Sequence, residues 1–433
     1  MKLYHFVRPI ATLGFKVYFK KIDFFGADRV PKGKPLIFSC NHPTGFFEPC
    51  LLACLTPDID YHFITRGDMF AKPFYRRLLD GLNMIPIFRF RDGFANMKNN
   101  ASSMAYIYKA LADNKSILIF SEGGTETVKK LRPLQKGMAR MAFGNYEQYG
   151  DLDLQVVPVC FTYINPHHFR AEGMVEFGEP IPLSNYYAQY AQSPPKAVTQ
   201  LTADIERGMK PLLVHIEKEE QTDLLENLFL MYRNSYPLPP FPVFFKSKRR
   251  LWAHQEIVEN VARMDVSQVE ILRGEVASYF QKLKDKNVED VAIAQPYHAT
   301  TANLMALIVG FIPFALGWLG HQIPRWYAQK VRNERVKYLE FRGPVMAAVG
   351  FGATIVQYLL LIFIALIINK LAFWGFVLSL PIMGYFAIFY YDLWQKYTAC
   401  NRLKSLNTAG VASLQNERNT ILNGVKESHK IKS

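Results

Sequence analysis

A histidine and a carboxylate stand on either side of a turn in Asn41-His42-Pro43-Thr44-Gly45-Phe46-Phe47-Glu48. An imidazole paired with a carboxylate can remove a proton from an alcohol. An apolar run, 35–40, leads into the pair, and Pro43 to Gly45 turn the chain. His42 is therefore expected at the carboxyl end of a strand, where open α/β sheets place their chemistry. A lone histidine beside a turn is more often a hydrogen-bonded structural residue, so the rest of the chain has to decide between the two readings.

Further segments carry compatible chemistry. Gly81-Leu82-Asn83-Met84-Ile85-Pro86-Ile87-Phe88-Arg89 ends a strand in an arginine, whose planar fork suits phosphate because it donates bidentate hydrogen bonds and keeps its charge. Ile119-Phe120-Ser121-Glu122-Gly123-Gly124-Thr125 ends another in a carboxylate, two glycines and a hydroxyl. Glycines let backbone amides approach a phosphate or an oxyanion closely, although a plain turn explains one such segment equally well. Arg132 and Lys136 add positive charge near the same edge. Val156-Val157-Pro158-Val159 is an apolar strand with a proline, a pattern of core or edge rather than of a site.

The elements that must position these residues follow from hydrophobic periodicity. Apolar runs at 35–40, 61–65, 84–88, 116–120, 155–163 and 174–177 alternate with helical stretches at 47–55, 70–79, 96–113 and 136–149. This is the pattern of an α/β fold with a mostly parallel sheet flanked by helices. From 186 to 300 the chain lacks strongly apolar strands and reads as a helical extension, with runs around 197–218, 224–233, 251–263 and 266–283. Lys246, Lys248, Arg249 and Arg250 form a basic cluster there, by default a solvated face. The N-terminal 1–30 mixes apolar and basic residues without an export-signal pattern and is expected as an interfacial helix, ordinary terminal packing being the alternative.

The last third has the composition of a lipid-embedded region. Residues 303–320 hold no charge, and 344–391 hold one, Lys370, beside Asn369. The longer stretch is expected as a transmembrane hairpin. Its flanks, 321–343 and 392–433, each carry a net charge of +4, which places both on the cytoplasmic side. With residues 1–300 on that side too, 303–320 is expected to be re-entrant or interfacial. The expected domains are 1–30, an α/β domain at 31–185, the extension at 186–300, a membrane region at 301–395 and a basic tail at 396–433.

Half of the 433 residues are hydrophobic, 14% are aromatic, and the net charge is +14. Eight of those fourteen charges sit on the membrane flanks, where anionic lipid explains them better than nucleic acid does. The five cysteines lack Cys-x-x-Cys spacing and read as reduced, packed thiols. No His/Cys/Asp cluster suggests a metal.

Taken in order, Asn41-His42…Glu48, Gly81…Arg89, Phe120-Ser121-Glu122-Gly123-Gly124-Thr125 and Val156-Val157-Pro158-Val159 resemble the four blocks of the glycerolipid (PlsC-type) acyltransferase superfamily. Phe177-Gly178-Glu179-Pro180 is similar to the strand end that follows the fourth block. The specific resemblance covers about residues 20–185. The later segments are similar, more loosely, to the branch containing glycerol-3-phosphate and dihydroxyacetone-phosphate acyltransferases. Two positions depart from the family pattern: Glu48 stands where Asp is usual, five residues beyond His42 rather than the commonest four, and Ser121 replaces Pro.

The resemblance implies a membrane-bound acyltransferase that uses acyl-CoA or acyl-carrier protein as co-substrate, with no other cofactor. The acceptor would be glycerol 3-phosphate first and a lysophospholipid second. It implies His42 as general base, Glu48 as its orienting carboxylate, and Arg89, Glu122, Gly123, Gly124 and Thr125 as acceptor-binding residues. The expected location is the cytoplasmic face of a membrane, a bacterial inner membrane in preference to the endoplasmic reticulum. A catalytically inactive relative that binds lipid or scaffolds a complex is the competing reading, favoured by Glu48 and Ser121.

Overall fold

The structure, a computed structural model, describes residues 3–88 and 100–427. The chain divides into two compact units: Met1–His215 with Pro240–Leu251 and Val336–Pro344, and Ile216–Pro239 with Trp252–Arg335 and Val345–Ser433.

The first unit is built on a mixed, mostly parallel sheet. Its strands are β1 (Phe19–Phe25), β2 (Leu36–Cys40), β3 (Tyr61–Arg66), β4 (Met84–Ile87), β5 (Ser116–Phe120), β6 (Gln155–Ile164), β7 (Ala171–Phe177), β8 (Ile181–Pro182) and β9 (Phe244–Lys246). They lie in the order β4-β3-β5-β2-β6-β7-β1-β9, with β8 alongside β6. Only the pairings of β6 with β7 and with β8 are antiparallel among the described strands. Central strand β2 is buried along its whole length, as an apolar run covered on both faces must be. Alternate residues serve opposite faces. Ile37, Ile117 and Val156 pack with Leu111, Phe143 and Leu201 from the helices Asn100–Ala112, Gly137–Tyr149 and Pro194–Met209. Elsewhere the unit gathers aromatic rings: Phe47 lies 5.8 Å from Phe15 of helix Leu3–Tyr18, 5.1 Å from Phe19 and 6.3 Å from Tyr163.

The N-terminal stretch differs from the expected interfacial helix. It is helical only to Tyr18, and Phe19–Phe25 joins the sheet as β1. The strand is hard to recognise because Lys21 and Asp23 are nearly fully buried within it. Their partners come from far along the chain. Lys21 Nζ donates to the Pro242 carbonyl at 2.8 Å, and Arg250 Nε meets Asp23 Oδ2 at 2.9 Å. Half of the basic cluster expected on a solvated face is therefore spent inside the first unit, since Lys248 also pairs with buried Glu176.

The second unit is helical. Helices Thr222–Ser235, Val266–Asp285 and Thr408–Glu427 gather around a buried ion pair in which Arg418 Nε meets Asp290 Oδ1 at 2.8 Å, with Tyr279 donating to the same oxygen at 2.7 Å. Among the described residues three helices are long and apolar enough to cross a membrane: Thr301–Gly320, Leu339–Ile368 and one beginning at Leu371 that runs through Arg402. Their apolar side chains face outward, as lipid-facing residues do; Val309 is 74% exposed and Ile367 68%. Asn369, at φ 48°, and Lys370 turn Leu339–Ile368 back into Leu371–Arg402.

Thr301–Gly320 runs antiparallel to Leu371–Arg402. Tyr390 Oη donates to the Leu307 carbonyl at 3.0 Å, and Gly317 lies directly on the Met383 carbonyl. Near the helix end Gly320 packs on Leu380. At His321 the chain turns, and helix Gln322–Arg335 runs antiparallel to Leu339–Ile368: His321 Nε2 is 2.7 Å from Tyr358 Oη, and Arg332 Nη1 is 3.7 Å from Met346 Sδ. Thus 301–335 is a helical pair laid against the longer hairpin, its turn about ten residues short of the hairpin tip, or ~15 Å at 1.5 Å per residue.

Candidate active site

Strands β2 and β5 run side by side and end together, Cys40 opposite Phe120. The chain after β2 carries His42 and the chain after β5 carries Glu122, so adjacency of these ends brings the first and third sequence segments into one place. Asn41 fastens the edge to the neighbouring strand, donating through Nδ2 to the Phe161 carbonyl at 2.9 Å and accepting from the Phe161 amide at 2.8 Å.

Helix Phe47–Leu55 begins just beyond the turn and places Glu48 in its first turn, fully buried. A carboxylate there complements the positive end of the helix dipole. Glu48 Oε1 accepts from the Thr44 amide at 3.0 Å and from the Thr44 hydroxyl at 2.7 Å. Its other oxygen, Oε2, lies 3.0 Å from His42 Nδ1. An ionised carboxylate only accepts, so Nδ1 carries the ring proton and Nε2 is left as the basic nitrogen. The imidazole stacks on Phe120, centroids 3.7 Å apart and planes 8° from parallel, which fixes the second rotational freedom of the ring. The extra methylene of Glu48 and its extra residue of spacing thus leave the His/carboxylate bond intact. Beneath the pair, burial and then the Glu48 charge push the Tyr163 phenol well above its ordinary range.

Glu122 is engaged entirely by protein groups. Its Oε2 accepts from the His42 amide at 2.9 Å and from Arg132 Nη2 at 2.8 Å, while Oε1 accepts from the Arg132 amide at 3.0 Å. Arg132 also donates to the Gly124 carbonyl. Two further ties to the backbone of the turn complete the join: the Glu126 amide donates to the His42 carbonyl at 3.2 Å, and the Thr127 hydroxyl to the Pro43 carbonyl at 2.8 Å. Gly123 has φ 70°, in the left-handed region, which favours glycine for the tight bend after Glu122. Ser121, where a proline was expected from the resemblance, has its hydroxyl 2.6 Å from Ser39 Oγ, tying β5 to β2 by a side chain instead of a ring.

Of the sequence-derived site residues, His42, Glu48, Glu122, Gly123, Gly124 and Thr125 stand at this one edge, with Gly124 and Thr125 half-buried. Arg89 lies outside the described residues. Sequence reasoning gave no part to Thr44, Phe120 or Asn41; each lies within the quoted motifs, but its role depends on partners from other segments. Lys136, singled out for its charge, donates to Thr199 Oγ1 at 2.9 Å. Among the described residues no group of three or more His, Cys, Asp or Glu side chains is gathered closely enough to hold a metal ion.

The fold and this edge define an α/β protein that presents an imidazole, oriented by a buried carboxylate, beside a glycine-rich turn. The acyltransferase family model matches residues 21–162, and that segment is an acyltransferase-family domain. Among curated proteins the chain is similar to glycerol-3-phosphate O-acyltransferase 1 of Saccharomyces cerevisiae, 27% identical over 43% of this chain and 25% of that protein. It is similar to glycerol-3-phosphate O-acyltransferase 2 of the same yeast, 24% identical over 36% of this chain and 21% of that protein. An uncharacterized acyltransferase of Schizosaccharomyces pombe is 33% identical over 19% of this chain and 13% of its own length. These matches span a quarter or less of each relative, and all three relatives are fungal, which lends no support to a bacterial setting. The crystal structure of the 1-acyl-sn-glycerophosphate acyltransferase PlsC from Thermotoga maritima aligns with 48% of this chain and 79% of its own at 15% identity and a TM-score of 0.34.

Proposed function

We propose that this protein is a membrane-bound O-acyltransferase that moves a fatty acyl group from an acyl thioester, acyl-CoA or acyl-carrier protein, to a hydroxyl of glycerol 3-phosphate or a lysophospholipid in lipid synthesis. The observation that carries the proposal is the 3.0 Å pairing of His42 Nδ1 with a fully buried Glu48, which leaves Nε2 basic at the end of an acyltransferase-family strand.

In this reading His42 Nε2 takes the proton of the acceptor hydroxyl as its oxygen attacks the thioester carbonyl. The tetrahedral intermediate collapses, the C–S bond breaks, and the imidazolium returns the proton to the departing thiolate, giving ester and thiol. Glu48 keeps the tautomer and stabilises the imidazolium. Glu122, with both oxygens engaged by His42 and Arg132, positions the base. Arg89, Gly123, Gly124 and Thr125 hold the acceptor phosphate. Glycerol 3-phosphate ranks first because two of the similar yeast proteins bear that activity in their names.

The membrane region fits the same reading. The hairpin of Leu339–Ile368 and Leu371–Arg402 enters and returns, and the 301–335 pair lies against it as a re-entrant hairpin that turns back at His321. In this reading the two ends of the longer hairpin face the cytoplasm, the side that the +4 net charge of 392–433 favours.

Purified full-length protein in lipid nanodiscs, given labelled acyl-CoA or acyl-carrier protein and a panel of acceptors, tests the proposal. Transfer to glycerol 3-phosphate that exceeds transfer to lysophosphatidic acid supports the first acceptor, and the reverse order selects the second. No transfer to any acceptor would leave the scaffold reading.

A further inference from the structure

The turn between His42 and Glu48 is held from inside by Glu48, through its bonds to Thr44. Its outer side meets a segment nearly three hundred residues away in sequence. Val336–Pro344 belongs to the same compact unit as the turn, and it opens the first helix of the membrane hairpin. The Gly45 amide donates to the Glu340 carbonyl at 2.9 Å. The Phe341 ring sits so closely on Gly45 that a Cβ at that position would lie 2.6 Å from Phe341 Cε1 and still nearer Cδ1. Two residues on, Gly343 is pressed against the Pro166 carbonyl, where a Cβ would overlap the oxygen and lie 3.1 Å from Tyr18 Oη. Tyr18 itself donates to that carbonyl at 3.1 Å. Two glycines, one on each partner, therefore permit one seating, and neither position admits a side chain without displacement.

We propose that 340–343 is a strap that holds the catalytic turn from outside, and that Phe341 is a positioning residue for the His42–Glu48 pair. The inference deepens the acyltransferase reading and rests on it. Gly45 is the middle of the turn, so a shift there moves Thr44, and with it the two donors that set Glu48 Oε1. The geometry of the base is thereby tied to the place where the membrane hairpin begins. Phe341 acts through the turn and not on the substrate, so its loss lowers kcat while KM stays near the wild-type value.

Full-length wild type, His42→Ala, Phe341→Ala, Gly45→Ala, Gly343→Ala and the doubles Gly45→Ala/Phe341→Ala and Gly343→Ala/Phe341→Ala are assayed for acyl transfer, with thermal unfolding of each. Phe341→Ala is expected to lower kcat about tenfold, and Gly45→Ala up to about a hundredfold, the scale of an ångström-sized misplacement. Removing the ring makes room for the new methyl group, so the Gly45 double should recover to the level of Phe341→Ala in both kcat and unfolding midpoint. The Gly343 double should not recover, because its obstacle is a backbone carbonyl. Wild-type kcat in Phe341→Ala, or no recovery in the Gly45 double, overturns the strap while a His42-dependent wild-type activity keeps the acyltransferase reading. A wild type with no turnover removes that reading and the positioning role together.

Discussion

Replacing Glu48 by Gln separates orientation of the base from everything else the carboxylate does. The side chain keeps its length and its buried site, but one accepting oxygen becomes a donating NH2. In the native protein Oε1 takes two donors from Thr44 and Oε2 takes one from His42. Placing the NH2 toward Thr44 would leave a buried backbone N–H facing another donor, at a cost of about 1–3 kcal/mol. The amide therefore keeps its oxygen on Thr44 and presents NH2 to His42 Nδ1. That nitrogen must then accept, so the proton moves to Nε2 and the base is lost. The corresponding change of tautomer in a serine-protease triad costs about 10⁴ in kcat, near 5 kcal/mol of barrier at 1.36 kcal/mol per tenfold. Glu48→Gln is accordingly expected to lower kcat by about 10² to 10⁴ with little change in KM or unfolding midpoint. Glu48→Asp withdraws the carboxylate by one C–C bond, about 1.5 Å, and is expected to fall between the two. Steady-state acyl transfer at saturating acceptor measures all three proteins. A Gln variant within about threefold of wild type in kcat would refute the orienting role.

Other expectations follow from the same geometry. Glu122→Ala leaves the His42 and Arg132 amides without their acceptor, while Arg132 keeps the Gly124 carbonyl and a Glu126 oxygen 3.7 Å away, so it should cost about 1–3 kcal/mol of stability in denaturant or thermal unfolding, whereas a solvated loop carboxylate would cost almost nothing. Burial pushes the Cys40 and Cys160 thiols well above their ordinary value, and burial with Cys54 and Glu48 nearby raises Cys50 to about 12. At pH 8 all three should therefore react with iodoacetamide far more slowly than a free thiol until the protein is unfolded, Cys50 about a thousandfold so, as mass spectrometry of the labelled peptides would show. Cysteines introduced at Lys370 and Lys337 should be labelled by an impermeant maleimide from opposite faces of oriented vesicles, and one at Asn407 from the same face as Lys337. Labelling of Lys370 and Lys337 from one face would contradict the membrane-crossing hairpin.

Much of the acyltransferase domain was legible because its strands are short apolar runs. The run expected at 116–120 is β5 to the residue, and 61–65 lies within β3. The hairpin was legible for the same reason, since a 48-residue stretch broken by a single lysine has few other uses. What escaped depends on distant partners. β1 carries Lys21 and Asp23 where an apolar alternation was expected, and only Pro242 and Arg250, more than two hundred residues later, make their burial tolerable. Arg132 read as loose positive charge because nothing local announces that Glu122 will accept both its amide and its guanidinium. Phe341 sits in a membrane flank, where its composition points to lipid and not to Gly45.

The central claim, that His42 is the base of an acyl transfer, is tested most directly by comparing wild type with His42→Ala for transfer of a labelled acyl group from its thioester to glycerol 3-phosphate or a lysophospholipid. Loss of general-base catalysis predicts a fall in kcat of about 10² to 10⁴ in a variant that still folds and inserts in the membrane. Turnover by His42→Ala equal to that of wild type would contradict it.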